Sequence, residues 1–158
     1  RIPAPPVIIF CNNHHTVDKV VSLLKEEQFH VAGIHGNKTQ DYRFRVMKAF
    51  KDGQLDVLVA SDLVSRGIDV MEVEHVIMYD LPDTIEDYVH RSGRTGRMGR
   101  VGVCTSLLTY DCKIAKELKQ LLRDGNHSIP KELEESRLFG GEVLKTDLGD
   151  IPAKMKQH

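Results

Sequence analysis

Short runs of apolar residues alternate along the chain with longer stretches in which apolar positions recur every three or four residues. The short runs occupy residues 7–11, 31–34, 56–60, 73–79 and 101–108, and their length and β-branched content are typical of buried strands. The periodic stretches predict helices over residues 17–24, 39–50, 84–89 and 111–123. Strict alternation of strand and helix predicts an α/β fold, in which a mostly parallel sheet carries helices on both faces.

The predicted sheet indicates where chemistry should lie. In parallel α/β sheets, ligands bind beyond the carboxyl ends of the strands. We therefore expect functional residues just after Ile34, Ala60 and Tyr79, and just before Val101. The polar, glycine-rich segments of the chain stand at these places.

Three segments differ in character along the chain. Residues 1–6 contain three prolines and predict a linker from an upstream domain. Residues 7–125 contain the alternating pattern and predict one compact domain. Residues 126–158 predict a C-terminal extension that is partly helical, with a turn or two from Lys131, and otherwise irregular. That extension either covers the surface or docks a protein partner or the upstream domain.

Composition narrows the class of protein. With 41% hydrophobic and 28% charged residues the chain is globular, and its net charge of −1 excludes a general polyanion binder. Any contact with nucleic acid must come from a local basic patch. The three cysteines lack CxxC or Cys/His ligand spacing, which predicts reduced thiols in an intracellular protein of the nucleus or cytoplasm. No apolar stretch reaches 18 residues, so no membrane partner is expected.

The most distinctive segment is HRSGRTGRMGRVG, residues 90–102. From Arg91 onward the triplet Arg-x-Gly occurs four times, which is unsuited to a helix because glycine costs about 1 kcal/mol relative to alanine. Glycines allow the backbone to approach a ligand, and guanidinium groups match phosphate oxygens bidentately. The segment predicts a site for a phosphoanion. A solvated basic loop, or a short repeat that binds RNA, is the alternative.

Two further segments carry weaker patterns. ASDLVSRGIDV, residues 60–70, follows a strand and offers hydroxyl, carboxylate and guanidinium groups suited to phosphate or ribose, although a simple helix cap is an equal alternative. Gly36 and Arg43 stand at a strand end and in the first turn of a helix, a pattern also produced by a tight turn beside an exposed arginine. His14 and His15 lack acidic or cysteine partners at ligand spacing, so no metal site is predicted.

Taken together and in this order, the segments resemble the second, C-terminal RecA-like domain of DEAD-box ATP-dependent RNA helicases. The resemblance runs from about Val7 to Arg123. VIIF is similar to the family's motif IV strand, HGNKTQDYR to its His-Gly and QxxR elements, and ASDLVSRGIDV to motif V. VIMYDLP is similar to the strand that follows, and HRSGRTGR to motif VI.

The resemblance implies a role for each matching residue. Arg94 and Arg97 match the arginine fingers that reach the γ-phosphate of ATP across a cleft between two domains. Asp69 matches the carboxylate that holds the ATP ribose, while His90 and Arg91 match a network that links motif VI to catalytic motifs of the other domain. The matches to contacts with the RNA backbone are Gly36, Arg43, Ser61 and Gly67, and Arg66 faces either the RNA or the other domain.

Two residues depart from the family pattern, and two motifs are absent from the chain. Ser61 replaces the usual threonine, and Ser92 replaces an isoleucine, which opens that position or lets it hydrogen-bond locally. No GxxxxGK[ST] phosphate loop and no DEAD run occur, so ATP and Mg²⁺ would be held by an N-terminal RecA-like domain. The expected partners are therefore RNA and that domain. A nucleic-acid-binding module without ATP coupling, and a protein-interaction scaffold, are the alternatives.

Overall fold

The computed structural model describes residues 6–61, 73–96, 102–109, 112–135 and 144–148. Its six strands are β1 (Val7–Cys11), β2 (Val31–Ile34), β3 (Val57–Ser61), β4 (His75–Met78), β5 (Val103–Leu108) and β6 (Leu144–Leu148). They form one sheet in the order β2-β3-β1-β4-β5-β6, in which the first five strands are parallel and β6 is antiparallel to β5. The predicted parallel α/β sheet is confirmed, and the predicted strands are present with ends shifted by one or two residues.

Five helices are described: α1 (His14–Glu26), α2 (Gln40–Lys51), α3 (Ile85–Ser92), α4 (Ala115–Asp124) and α5 (Lys131–Glu135). Side chains of Asn13, Thr39 and Thr84 cap α1, α2 and α3 by accepting a hydrogen bond from a backbone N–H in the first turn. In α3 this is the predicted capping pair, because the Thr84 hydroxyl oxygen accepts from the N–H of Asp87 at 3.2 Å. Among the helices of the described ranges, none has both the length and the apolar character needed to span a membrane.

Helices cover both faces of the sheet. On one face α1 buries Val17 and Val20 against side chains of β1 and β3. On the other face Phe50 of α2, Tyr88 of α3 and Leu118 of α4 enter a larger core. The apolar pattern predicted these faces well, although Leu23 of α1 is 48% exposed.

The C-terminal extension contains more order than its composition predicts. Arg123 of α4 bonds Glu134 at 3.1 Å, and Leu133 of α5 is buried in the larger core. Residues Leu144–Leu148 pair with β5 as an antiparallel edge strand, in the register Cys104↔Leu148 to Leu108↔Leu144. The expectation that this part is irregular was wrong here, since backbone pairing with an existing edge requires no apolar periodicity in the added strand.

Parallel strands give the sheet two chemically distinct edges. The carboxyl edge lies beyond Ile34, Ser61 and Met78, where β2, β3 and β4 end. The amino edge lies before His75 and Val103, where β4 and β5 begin. Because α3 connects two parallel strands, it returns the chain from the carboxyl edge to the amino edge.

Candidate functional site

The arginine-glycine turn of residues 93–96 follows directly from the end of α3. The N–H of Gly93 bonds the carbonyl of Val89 at 2.8 Å, and the N–H of Thr95 bonds the carbonyl of Ser92 at 3.2 Å. The carbonyl of Arg94 accepts from the N–H of Val73 at 3.0 Å, so that Thr95 and Val73 form a parallel bridge. The backbone of Arg94 is thereby fixed beside the start of β4.

Thr95 anchors the turn from the inside. Its side chain is 5% exposed, and its hydroxyl donates to the carbonyl of Glu74 at 2.9 Å. On the other side a Cβ at Gly102 would overlap the Thr95 hydroxyl and the backbone of Gly96, so only glycine fits at 102. Gly96 itself has φ +67°, in the left-handed region that favours glycine. Gly102 therefore serves close backbone packing, and Gly96 serves the left-handed turn.

The turn lies at the amino edge of the sheet, next to the segment before β5 where part of the functional chemistry was expected. Arg94 and Thr95 pair with Val73, just before β4, and Gly102 precedes β5. Both places belong to the amino edge. The reason is that α3 carries the chain back across the sheet before the turn begins.

Three of the predicted RNA-binding residues do lie at the carboxyl edge. Ser61 ends β3, is 4% exposed and stands in register with Cys11 of β1. Gly36 is exposed directly after β2, and Arg43 lies in the first turn of α2, near the positive end of its dipole. The Nε atom of Arg43 is enclosed and has no hydrogen-bond partner within the described ranges.

A polar clamp holds the loop between β2 and α2. His35 is 2% exposed, and its Nε2 lies 3.2 Å from a carboxylate oxygen of Asp18 on α1. The same oxygen pairs with Nζ of Lys38 at 3.5 Å. Burial acts to raise the pKa of Asp18, but the hydrogen bond with His35 and the charge of Lys38 outweigh it and lower that pKa. The ionised carboxylate thus ties both ends of Gly36–Asn37 to α1.

Arg91, predicted to belong to a network with another domain, makes its described contacts inside this domain. Its side chain is 1% exposed and donates at 2.8 Å both to the carbonyl of Asp80 and to the side-chain oxygen of Asn12. Its guanidinium also lies 5.5 Å from the ring centre of Phe10. These bonds join α3 to the segments that follow β1 and β4, so within the described residues Arg91 holds this helix in position.

His90 and Ser92 flank Arg91 and face different surroundings. His90 is exposed on α3, whereas Ser92 is buried and its hydroxyl donates to the carbonyl of Val89 at 3.0 Å. Of the two options open for Ser92, the local hydrogen bond is confirmed. The remaining predicted residues, Arg66, Gly67, Asp69 and Arg97, lie outside the described residues.

The cysteines and the first two histidines have structural surroundings. Cys11 and Cys104 are buried free thiols, and burial raises the pKa of each to about 12, so neither is a nucleophile at neutral pH.

His14 and His15 begin α1 with their ring centres 4.0 Å apart. In the part of the chain that the structure describes, no group of three or more His, Cys, Asp or Glu side chains could hold a metal ion.

Sequence reasoning missed three residues that build the site. Thr95 and Asn12 were absent from the prediction because their partners are backbone atoms and a distant arginine. Asp18 was missed because it lies on a helix 17 residues before its partner His35.

The fold and these two edges define a RecA-like α/β domain with an arginine turn and a separate polar strand-end surface. Residues 2–99, more than half of the chain, match the family described as helicase conserved C-terminal domain. The probable ATP-dependent RNA helicase ddx41 of Dictyostelium discoideum is 44% identical over 133 residues, which cover 83% of this chain and 20% of that protein.

Solved structures agree with this family. The RNA helicase Prp28 from Chaetomium thermophilum, bound to ADP, is 40% identical with a TM-score of 0.73 over 84% of this chain and 33% of that chain. The C-terminal domain of the DEAD-box protein Dbp5 is 30% identical with a TM-score of 0.70 over 79% of this chain and 73% of that domain. The chain belongs to the helicase C-terminal domain family, and it is a C-terminal RecA-like domain of the DEAD-box RNA helicases. It spans about a fifth of the length of the first curated relatives.

Proposed function

We propose that this chain is the part of an ATP-dependent RNA helicase that supplies arginines to a nucleotide at its amino edge and holds RNA at its carboxyl edge. The observation that carries the proposal is the fixed backbone of Arg94, bonded to Val73 and anchored through Thr95. A guanidinium that stabilises a transferring phosphoryl group must be held in place before the reaction. Otherwise the free energy spent on moving it into position would offset the stabilisation of the transition state.

At the amino edge, Arg94 and Arg97 act as fingers on the γ-phosphate of an ATP bound by an N-terminal RecA-like domain. Asp69 holds the ribose, and the exposed His90 contacts that other domain. Mg²⁺, held by the N-terminal domain, would neutralise part of the negative charge on the phosphates. The residues of this chain orient positive charge and help exclude water from the closed cleft.

At the carboxyl edge, Gly36, Arg43 and Ser61 contact the sugar-phosphate backbone of RNA, together with Arg66 and Gly67. Arg43 is partly exposed in the first turn of α2, where the positive end of the helix dipole favours a phosphate. Binding of RNA at one edge and of nucleotide at the other would close the two domains jointly, so that short RNA duplexes or RNA–protein complexes are remodelled.

The test is a conservative change in the full-length protein. Replacement of Arg94 or Arg97 by lysine should lower kcat for RNA-stimulated ATP hydrolysis at least ~100-fold, because an arginine finger is worth roughly 10³–10⁵ in rate and lysine lacks the planar fork. The dissociation constant for ATP should change little, since the other domain holds the phosphates. Both values come from steady-state phosphate release and nucleotide titration.

Arg100 provides the matched control. It continues the Arg-x-Gly repeat but lies beyond the family motif, so Arg100→Lys should leave kcat nearly unchanged. An equal loss of kcat for Arg100→Lys and Arg97→Lys would contradict the assignment of the fingers. If instead all these variants weaken RNA binding equally and spare hydrolysis, the segment is a basic RNA-binding loop.

A further inference from the structure

The outward face of α2 carries an aromatic side chain that packing does not explain. Phe44 is 73% exposed, whereas the other exposed large apolar side chains of the described ranges are 42–48% exposed. The same helix buries Val46, Met47 and Phe50, so α2 already has a complete apolar face toward the core. Phe44 adds nothing to that core and presents most of its ring to solvent.

The surroundings of Phe44 are basic. Helix α2 contains Arg43, Arg45, Lys48 and Lys51 against the single acid Asp41, a net charge of +3 in a chain whose total is −1. Asp52, just beyond the helix end, pairs with Lys48 at 2.6 Å and is partly exposed, so the cluster with Asp52 included keeps a net charge of +2. Positive charge concentrated on one helix of a nearly neutral protein is the local patch that binding of a polyanion requires.

Helical geometry places Phe44 in line with the carboxyl edge. Residues four apart share a helix face, so Gln40, Phe44 and Lys48 form one exposed row that runs away from the first turn. Arg43, the neighbour of Phe44, is partly exposed in the first turn of α2 at the carboxyl edge. A chain that leaves Arg43 along α2 therefore meets the Phe44 ring next and the lysines after it.

We propose that Phe44 and the basic side chains of α2 form a subsite for single-stranded RNA, in which one unpaired base stacks on the Phe44 ring. Phosphates on either side of that base pair with Arg45, Lys48 or Lys51. Stacking tolerates any base because every base has a π-face, so the subsite adds affinity without sequence preference. The proposal rests on the RNA-binding role proposed for the carboxyl edge and extends that site by one base.

A single tryptophan can report the stack directly, because the chain contains no tryptophan. Phe44→Trp should keep the fold, since the position is exposed, and titration with a single-stranded oligoadenylate decamer should quench its fluorescence. The matched control is Phe29→Trp, at a phenylalanine that is 42% exposed just before β2, at the amino edge. It should show little quenching. Equal quenching at the two positions, or none at Phe44→Trp while RNA is bound, would overturn the proposal.

Affinity gives the second measurement. Phe44→Ala should raise the Kd for the decamer at least about fivefold, Phe44→Tyr should restore it, and Phe29→Ala should leave it unchanged. A decamer with the same backbone but abasic residues should bind wild type and Phe44→Ala equally, because no base remains to stack. If the Phe44 effect persists with the abasic strand, Phe44 does not stack on a base.

The variant Arg43→Ala separates this proposal from the proposed function. If Arg43→Ala weakens RNA binding and Phe44→Ala does not, the Phe44 subsite is wrong and the carboxyl-edge site stands. If neither change affects binding, both proposals fail. Loss of a protein complex from Phe44→Ala without any change in RNA affinity would assign the ring to a protein interface and would overturn the RNA subsite.

Discussion

At the scale of single residues, neighbouring arginines in one repeat do different work. Arg91 is enclosed and hydrogen-bonds Asp80 and Asn12, whereas the backbone of Arg94 is fixed at the amino edge by Val73. The difference arises because α3 ends at Ser92. Side chains on a helix tilt toward its N-terminus, so Arg91 reaches back to the carboxyl edge, while Arg94 stands beyond the helix. Spacing along the sequence does not show this division.

Arg91→Lys should lower the free energy of unfolding by about 2 kcal/mol, because hydrogen bonds to a charged group contribute about 1.5–3 kcal/mol and lysine cannot reproduce both. Urea denaturation followed by far-UV circular dichroism measures the change. The control is Arg123→Lys, an exposed arginine paired with Glu134, which should cost less than about 1 kcal/mol. Equal stability of Arg91→Lys and wild type would show that these hydrogen bonds do not stabilise the fold.

At the scale of elements, helix caps position the functional segments. Thr84 begins α3, which carries His90 and Arg91 and leads into the arginine turn. The Thr84 hydroxyl oxygen accepts from the N–H of Asp87 at 3.2 Å, and its proton is directed at the Asp87 carboxylate 3.0 Å away. These two hydrogen bonds set the residue at which α3 begins. Because the helix then runs to Ser92, they also help to set where the arginine-glycine turn begins.

Thr84→Ala should reduce the free energy of unfolding by about 1 kcal/mol, since the N-terminal amides of α3 lose their side-chain acceptor. Thr84→Ser keeps the hydroxyl and should restore most of the difference. Thermal and urea unfolding of the three proteins provide the comparison. If the alanine and serine variants unfold alike, the stability of α3 depends on packing of Tyr88 and not on its cap.

At the scale of the whole molecule, the two edges of the sheet separate two proposed ligands. Predicted RNA contacts lie beyond β2 and β3, and the arginine turn lies before β4 and β5. Arg91 links the two edges of the sheet. It lies near the end of α3, which leads to the amino edge, and its side chain donates to atoms that follow β1 and β4 at the carboxyl edge. The GxxxxGK[ST] loop that binds the phosphates of a nucleotide does not occur in this sequence.

The 158-residue chain by itself should therefore release no phosphate from ATP above the buffer background, even at saturating RNA. It should bind single-stranded RNA only weakly, with a Kd in the high-micromolar range that rises with salt because the contacts are to phosphates. Malachite-green phosphate assays and fluorescence anisotropy measure the two quantities. Phosphate release that is abolished by Arg94→Ala would show that the chain hydrolyses ATP alone, contrary to expectation.

The amino-acid sequence by itself determined the strands, the helices and the family. Apolar runs and helical periodicity are local properties, so 7–11 and 39–50 were predicted nearly as they occur in β1 and α2. The motif residues were also identified, since residue type and order carry the resemblance. The sequence could not show that residues 144–148 add to β5, because edge pairing depends on backbone hydrogen bonds with a strand far away along the chain.

Only the tertiary structure decided which residues meet. It divided the arginines into an enclosed Arg91 and a fixed Arg94, and it placed the arginine turn at the edge opposite the predicted RNA contacts. It also left Phe44 exposed among basic side chains. Which residues become buried or adjacent depends on how the helices cross the sheet. That crossing is a property of long-range packing, which no local pattern of residues determines.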